Sequence, residues 1–237
     1  MKKFLPVFLA LLVVTIAAIS AQTVLHDTFS FLSGWTPVHG TWEANEALVQ
    51  RNSNTSFAMI NRKLPQSGVY QLEYTVSYLN GGFADAKAAA MGKYHAGFGI
   101  HIGIDKAASR LSWGNGKSYL LWFNLDTTVP RSSEHYGLRA QVYKSTSNSV
   151  MALMKDYNEE LLPVEVVEKS LDYLSNDLYF KMIVDTDSGE VQVFDPTLED
   201  HYYSLYLDPE MLKGSYIAFR TNKVSVAFKN LKVTPIR

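Results

Sequence analysis

Twenty-three acidic side chains and six histidines give this chain the material for acid-base or metal chemistry, so their spacing is the first question. Two carboxylates at alternate positions of one strand share a face and can work as acid and nucleophile about 5 Å apart. No such pair stands out. Glu165 and Glu168 in "PVEVVEKSLD" come nearest, but their odd separation puts them on opposite faces of a strand, as a solvated charged surface. Asp85, Asp105 and Asp126 stand singly at or after strand ends, where turn formation explains them. Glu134-His135 and Asp200-His201 are adjacent and would point to opposite sides. "DTDSGE" offers Asp185, Asp187 and Glu190, a fragment of the oxygen-rich spacing of calcium loops without its remaining ligands; a hairpin turn is the simpler reading. His95 and His101 lie six apart with no third ligand nearby, which is no zinc pattern. With neither cysteine nor Gly-x-Ser-x-Gly, nucleophilic catalysis has no support. The sequence therefore assigns no catalytic residue, no metal and no cofactor.

Aromatic and glycine residues carry more information. In "GFGIHIGI" the large side chains of Phe98, Ile100, Ile102 and Ile104 face one way, and Gly97, Gly99, His101 and Gly103 face the other. A bare strip on a strand admits something close to the backbone, whether a neighbouring side chain, a crossing loop or a ligand. Trp113 lies in the turn-rich "LSWGNGK", and Trp122 is opposite in phase to Tyr119, Leu121 and Phe123. Either indole can stack on an apolar face or wall a groove. Trp35 and Trp42, in "GWTPVHGTW", have the same chemistry available but are expected to be core and hairpin staples, because Trp42 shares the phase of Ala44 on an inward face.

These candidates need elements to position them, and the composition limits which. The chain opens with Lys2 and Lys3, an apolar run from Phe4 to Ile19 and the small pair Ser20-Ala21, the pattern of a secretory signal peptide. Cleavage after Ala21, or alternatively after Ser20, is expected, with residues 22–237 as one domain in the periplasm or outside the cell. No later stretch is apolar enough to span a membrane. Removing residues 1–21 takes away two lysines and leaves 20 Lys+Arg against 23 Asp+Glu, a net charge of −3. That balance, without a basic cluster, argues against a nucleic-acid partner. Absence of cysteine together with so short a positive start fits a bacterial exported protein, stabilised by packing alone; the Asn54-Thr55-Ser56 sequon is then idle.

Period-two alternation recurs along the chain. Strands are expected at Tyr70–Tyr78, Phe98–Ile104, Tyr119–Leu125, Leu138–Tyr143, Ser149–Lys155, Leu178–Val184, Glu190–Phe194, Tyr216–Phe219 and Val224–Val233. Asn80-Gly81-Gly82, Gly114-Asn115-Gly116 and the run from Asp185 to Gly189 read as turns. Helical periodicity is confined to Ala84–Met91 and a turn near Asp208–Leu212. In the last strand the apolar phase changes from even (Val224, Val226, Phe228) to odd (Leu231, Val233), which predicts a β-bulge at Lys229-Asn230. The expected class is all-β, a sandwich or barrel.

The two ends of the chain carry a resemblance. "DTFS…SGWTPVHGTWEANEALVQ" and "GSYIAFRTNKVSVAFKNLKVTPI" resemble the opening and closing strands of the concanavalin A-like lectin/glucanase superfamily, through Phe29, Gly34, Trp35, Gly40, Trp42 and Leu48 at one end and Phe228, Asn230 and Val233 at the other. The resemblance implies a two-sheet antiparallel jelly roll with its terminal strands side by side, and an Asn45-Glu46 turn in which Asn supplies the left-handed backbone. The superfamily includes binders and enzymes; the Glu-x-Asp-x-Glu type motif of its laminarinases is absent here. A glycan groove on the concave sheet is implied, with His101, Trp122, Trp113, Gly99 and Gly103 as its candidate residues and a polysaccharide or glycan as partner. Tyr202, Tyr203 and Tyr206, with Tyr136 and Tyr143, leave a second expectation open: contact with envelope proteins or self-association, in a periplasmic or surface assembly of envelope or flagellar-sheath type. A glycoside hydrolase with an atypical acid pair is the third.

Overall fold

A computed structural model describes residues 24–133, 135–154, 176–196 and 201–236. The alternation seen in the sequence becomes fifteen strands: β1 (Leu25–Asp27), β2 (Trp35–His39), β3 (Trp42–Ala44), β4 (Leu48–Gln50), β5 (Ala58–Lys63), β6 (Val69–Gly81), β7 (His95–Ile104), β8 (Ser118–Asp126), β9 (Gly137–Ser145), β10 (Met151–Leu153), β11 (Leu178–Asp185), β12 (Glu190–Phe194), β13 (Tyr202–Tyr206), β14 (Tyr216–Asn222) and β15 (Val224–Pro235). Among the described residues one short α-helix, α1 (Ala86–Ala90), interrupts them, with Asp85 as N-cap accepting from the Ala88 amide. A 3₁₀ turn at Pro209–Met211 occupies the second expected helical stretch.

Antiparallel pairing assembles two sheets. The first runs β13-β12-β11-β6-β15-β4-β3, with β1 also on β15; the second runs β10-β9-β8-β7-β14-β5-β2. This is the two-sheet jelly roll. Leu25 of β1 pairs with Val233 of β15, so the two ends lie side by side and the exposed edge that a terminal strand would present is closed.

Between the sheets lies one aromatic-rich core. Phe219 and Phe228, from consecutive strands in opposite sheets, stack at 4.1 Å between ring centroids. Trp35 stacks on Phe219 at 5.4 Å and Trp42 on Phe228 at 6.5 Å, each contact of a kind worth roughly 0.5–1.5 kcal/mol beyond burial. Both indole N–H groups are satisfied, Trp35 by the Asp27 carboxylate and Trp42 by the His39 carbonyl. These two tryptophans are buried staples of the opening strands.

Two local devices come out of the same packing. Pairing of β15 with β6 shifts between Lys229 and Lys232, and Asn230 takes φ +51°, so the bulge sits where the apolar phase changes. The β3–β4 turn corrects an expectation: its left-handed residue is Glu46 at φ +56°, not Asn45. Ala44 pairs with Leu48, which makes a three-residue turn and puts the left-handed position second.

Candidate functional site

The outward face of the second sheet is built by the residues in phase opposition to the core. Register places Met59 (β5), Arg220 (β14), Gly99 (β7), Trp122 (β8) and Gln141 (β9) in one row across the sheet. The next row holds Asn61, Ala218, His101, Leu120 and Tyr143, and on the other side lie Asn222, Gly97, Asn124 and Arg139.

Residues 105–117 cross half of this face and close it. Ala108 packs with Met59, Ile104 and Ala218. Asn61 donates to the Ala108 carbonyl at 2.9 Å and accepts from Asn115 at 2.9 Å, while Asn115 accepts from the Ala108 amide at 2.7 Å. His101 lies fully buried beneath this crossing, away from the open part of the face. Ser118 Oγ donates to the Asn115 carbonyl at 2.9 Å, so its contact with His101 Nδ1 at 3.1 Å has the imidazole as donor. Nε2 then carries only a lone pair, and among the described residues no group hydrogen-bonds to it. Burial, and secondarily the charge of Arg220, hold this imidazole well below the usual histidine range, so it is neutral.

The other half stays open as a pocket of about 340 Å³. Trp113, within the covering segment, forms one wall; Trp122, Phe57, Tyr143, Asn124, Asn222 and Arg220 contribute around it. Trp113 is 42% exposed, and its indole N–H donates to the Met151 carbonyl at 2.8 Å, which fixes the ring edge-on to Tyr143 and Phe57. Trp122 lies flat enough over the sheet that a Cβ at Gly97 would come within 2.2 Å of its ring. The glycine strip is thus filled by a neighbouring indole at Gly97, while Gly99 lies in register between Arg220 and Trp122. Gly103 permits a close approach of a different kind. At φ +69° its α-carbon abuts the Met211 carbonyl, where a Cβ would sit 2.0 Å from the oxygen.

Arg220 is the residue the sequence reading missed. It is 1% exposed and donates to the carbonyls of Trp113 at 2.6 Å and Ser112 at 3.3 Å. Its guanidinium lies 5.2 Å from the Phe57 ring centroid and 5.5 Å from that of Trp113. Burial lowers its pKa to about 10, which leaves it charged at neutral pH. At the far end of the pocket Asp126 accepts from His95 Nδ1 at 2.9 Å, from the Thr128 amide at 2.8 Å and from the Thr128 hydroxyl at 2.6 Å. The period-two series Trp122, Asn124, Asp126 is visible in the sequence and extends the reasoning that singled out Trp122. Likewise Arg220 stands in "YIAFRTN" in phase opposition to Ile217 and Phe219, an arginine in the middle of a buried strand.

The structure therefore brings Trp113 and Trp122 to one pocket, sets Gly99 beside it, and places His101 and Gly103 outside it. Asp185 accepts from the amides of Asp187 and Ser188 as the turn of the β11–β12 hairpin. Glu165, Glu168, Glu134 and Asp200 lie outside the described residues. Among the described residues no helix is long and apolar enough to cross a membrane.

No protein-family model matches the chain, and no curated protein matches its sequence. Solved structures do match in fold. A legume lectin-like domain from Entamoeba histolytica aligns with TM-score 0.55 at 10% identity, covering 87% of this chain and 92% of its own. The CBM2 module of the evolved Dit of Lactobacillus casei BL23 phage J-1 aligns with TM-score 0.54 at 10% identity, covering 90% and 94%. A carbohydrate-binding module, CBM66, from Bacillus subtilis aligns with TM-score 0.51 at 12% identity, covering 84% and 94%. At such identities the likeness is one of architecture: the chain shares a two-sheet jelly-roll β-sandwich with these structures.

Proposed function

We propose that this protein is an exported, non-catalytic lectin-like domain that binds a glycan in the pocket between Trp113 and Trp122, on the sheet expected to be concave. One observation carries the reading: the open half of the outward face gathers indoles, a tyrosine and a phenylalanine around amide and guanidinium donors. Sugars present apolar ring faces and polar rims, and such a mixture complements both. The carbohydrate-binding and lectin-like proteins that share the fold support it. Asp126 is the single carboxylate among the described residues lining the pocket, and its oxygens already accept three hydrogen bonds, whereas glycoside hydrolysis uses two acids. Export rests on the signal-peptide pattern of residues 1–21.

Affinity electrophoresis against soluble polysaccharides, with Trp113→Ala as control, tests this. Retardation that the variant loses while keeping its circular dichroism is the expected result; a protein retarded by no polysaccharide would remove the reading.

A second reading has its own observation. On the outward face of the first sheet, Tyr202 and Tyr206 on edge strand β13 are exposed, Phe194 lies against Tyr202 at 5.4 Å, and Tyr179 is half exposed. Self-association or a protein partner through this edge would appear in analytical ultracentrifugation as a concentration-dependent sedimentation coefficient.

A further inference from the structure

We propose that the ligand of the pocket is an acidic saccharide, a sugar whose carboxylate is drawn to the cationic floor provided by Arg220. The inference rests on the glycan-binding reading above and narrows it to a ligand class.

A buried charge is stable when paired, and the arginines of this fold show the rule and its exception. Arg62 has the Asp27 carboxylate, which also accepts from the Trp35 indole and the Phe29 amide. Arg51 has Glu43. Arg220 is the most buried of the three and has no carboxylate among the described residues, only two backbone carbonyls. Those carbonyls engage two of the five guanidinium donors. A neutral amide could hold the same two carbonyls without the cost of desolvating a charge. Beyond those two carbonyls and the rings of Phe57 and Trp113, the positive charge meets no anion among the described residues, and the pocket that Arg220 lines is where one can enter.

The other charges of the pocket do not cancel it. Asp126 sits opposite His95, whereas Arg220 sits opposite Gly99. Four residues of strand separate those positions, roughly 13 Å along β7. Asp126 is further occupied by His95 and Thr128. His101, the nearest histidine in register to Arg220, is buried and neutral. The result is a pocket that is cationic at the Trp113 end and closed by a hydrogen-bonded acid at the other.

Neighbouring donors suit an anion as well. Asn222 lines the pocket with its Oδ1 accepting from the Phe57 amide at 3.3 Å, which leaves its NH₂ group as a donor. Trp113 offers a ring face next to the guanidinium. A uronic acid ring can stack there with its carboxylate toward Arg220 and Asn222. In a site shielded from water a single charge is screened less than at the open surface, so the attraction works even without direct contact.

Asn222→Asp is the informative variant. It keeps the acceptor for the Phe57 amide and places a negative charge where the carboxylate should go, without touching the buried arginine. Isothermal titration of wild type and variant with oligogalacturonate, a laminarin oligosaccharide and polyglutamate separates the possibilities. The expected result is oligogalacturonate bound at least about tenfold more tightly than the neutral oligosaccharide and than polyglutamate. That preference should be lost in Asn222→Asp, whose circular dichroism should match wild type. Equal binding of neutral and acidic oligosaccharides, both abolished by Trp113→Ala, would overturn the acidic ligand and leave the glycan reading standing. Binding of polyglutamate as tight as that of the uronate would overturn it by making the sugar irrelevant. Failure of every saccharide would overturn both readings together.

Discussion

Replacing Gly97 with alanine perturbs the pocket through one methyl group. The new Cβ would stand 2.2 Å from Cζ2, 2.4 Å from Cε2 and 2.6 Å from Nε1 of Trp122, where carbon contacts settle at about 3.5–4.0 Å. The indole must retreat by more than about 1 Å, and the open side available to it is the pocket. Overpacking of this kind costs about 1–3 kcal/mol, less because the ring has somewhere to go, and the weak indole bond to Asn124 Oδ1 at 3.3 Å is lost with it. Against this, alanine gains about 0.5–1 kcal/mol over glycine in an extended segment. A net loss of up to about 2 kcal/mol remains, which for a domain of this size lowers Tm by up to about 8 °C. Trp122, 9% exposed in its present position, should become wetter, and tryptophan emission should move to the red. Differential scanning calorimetry and emission spectra measure both effects. A variant with unchanged Tm and spectrum would mean that the indole does not lie on Gly97, and the shape of the pocket would have to be reconsidered.

Other expectations bear on the rest of the frame. Trp42→Ala removes a ring that is 6% exposed and stacked on Phe228, and should cost roughly 3–5 kcal/mol by urea unfolding; a cost under about 1 kcal/mol would contradict its place in the core. Asp27→Ala removes the carboxylate shared by the Arg62 guanidinium and the Trp35 indole N–H, leaving Arg62 the Ser33 carbonyl, and should cost about 2–4 kcal/mol, well above the effect of Glu43→Ala at the exposed Arg51 pair. His101 has its folded pKa depressed, so the unfolded chain takes up the proton first: stability is fully present above the unfolded value near 6.5 and falls as pH drops below it, by up to about 1.4 kcal/mol per pH unit. Urea denaturation at pH 7.5, 6.5 and 5.5 should show this decline, and His101→Gln should flatten that part of it; an identical slope in the variant would contradict the burial.

How much of this was written in the sequence depends on the range of the forces involved. Strand phase is local, so β6, β11, β12 and the bulge at Lys229-Asn230 could be read from alternation alone. Short strands escaped the same logic. The run Ala58–Lys63 has its first four residues buried, so alternation is hidden in β5. The stretch from Ser149 to Lys155 reads as one strand; β10 takes Met151–Leu153 of it, and Lys155 lies outside the described residues. Left-handed positions depend on turn length, which is why Glu46 rather than Asn45 takes that conformation. The site shows the same division. Opposite phase exposed Trp122 as an outward residue, but nothing local says that residues 105–117 fold over the sheet and bury His101. That covering depends on Asn61 and Asn115, 54 positions apart in sequence.

The covering segment determines where a ligand can go, and its own anchoring explains why the boundary falls at Trp113. Its near side is tied down by neutral amides, Asn61 and Asn115, over the small side chains Ala108 and Ala218, which permit close approach. Its far side is tied by Arg220 through the carbonyls of Ser112 and Trp113. Beyond that point the row position on β7 is Gly99 and then Gly97, so no side chain rises from the central strand to support further chain. The same absence that ends the covering segment opens the pocket and lets Trp122 lie down as its lining. Arg220 thus has two roles at one position, holding the wall that carries Trp113 and charging the space beside it. Replacing Arg220 with an apolar side chain would remove the charge and untie the wall together, whereas Asn222→Asp changes the potential with the wall in place. Separating these two roles requires the second substitution.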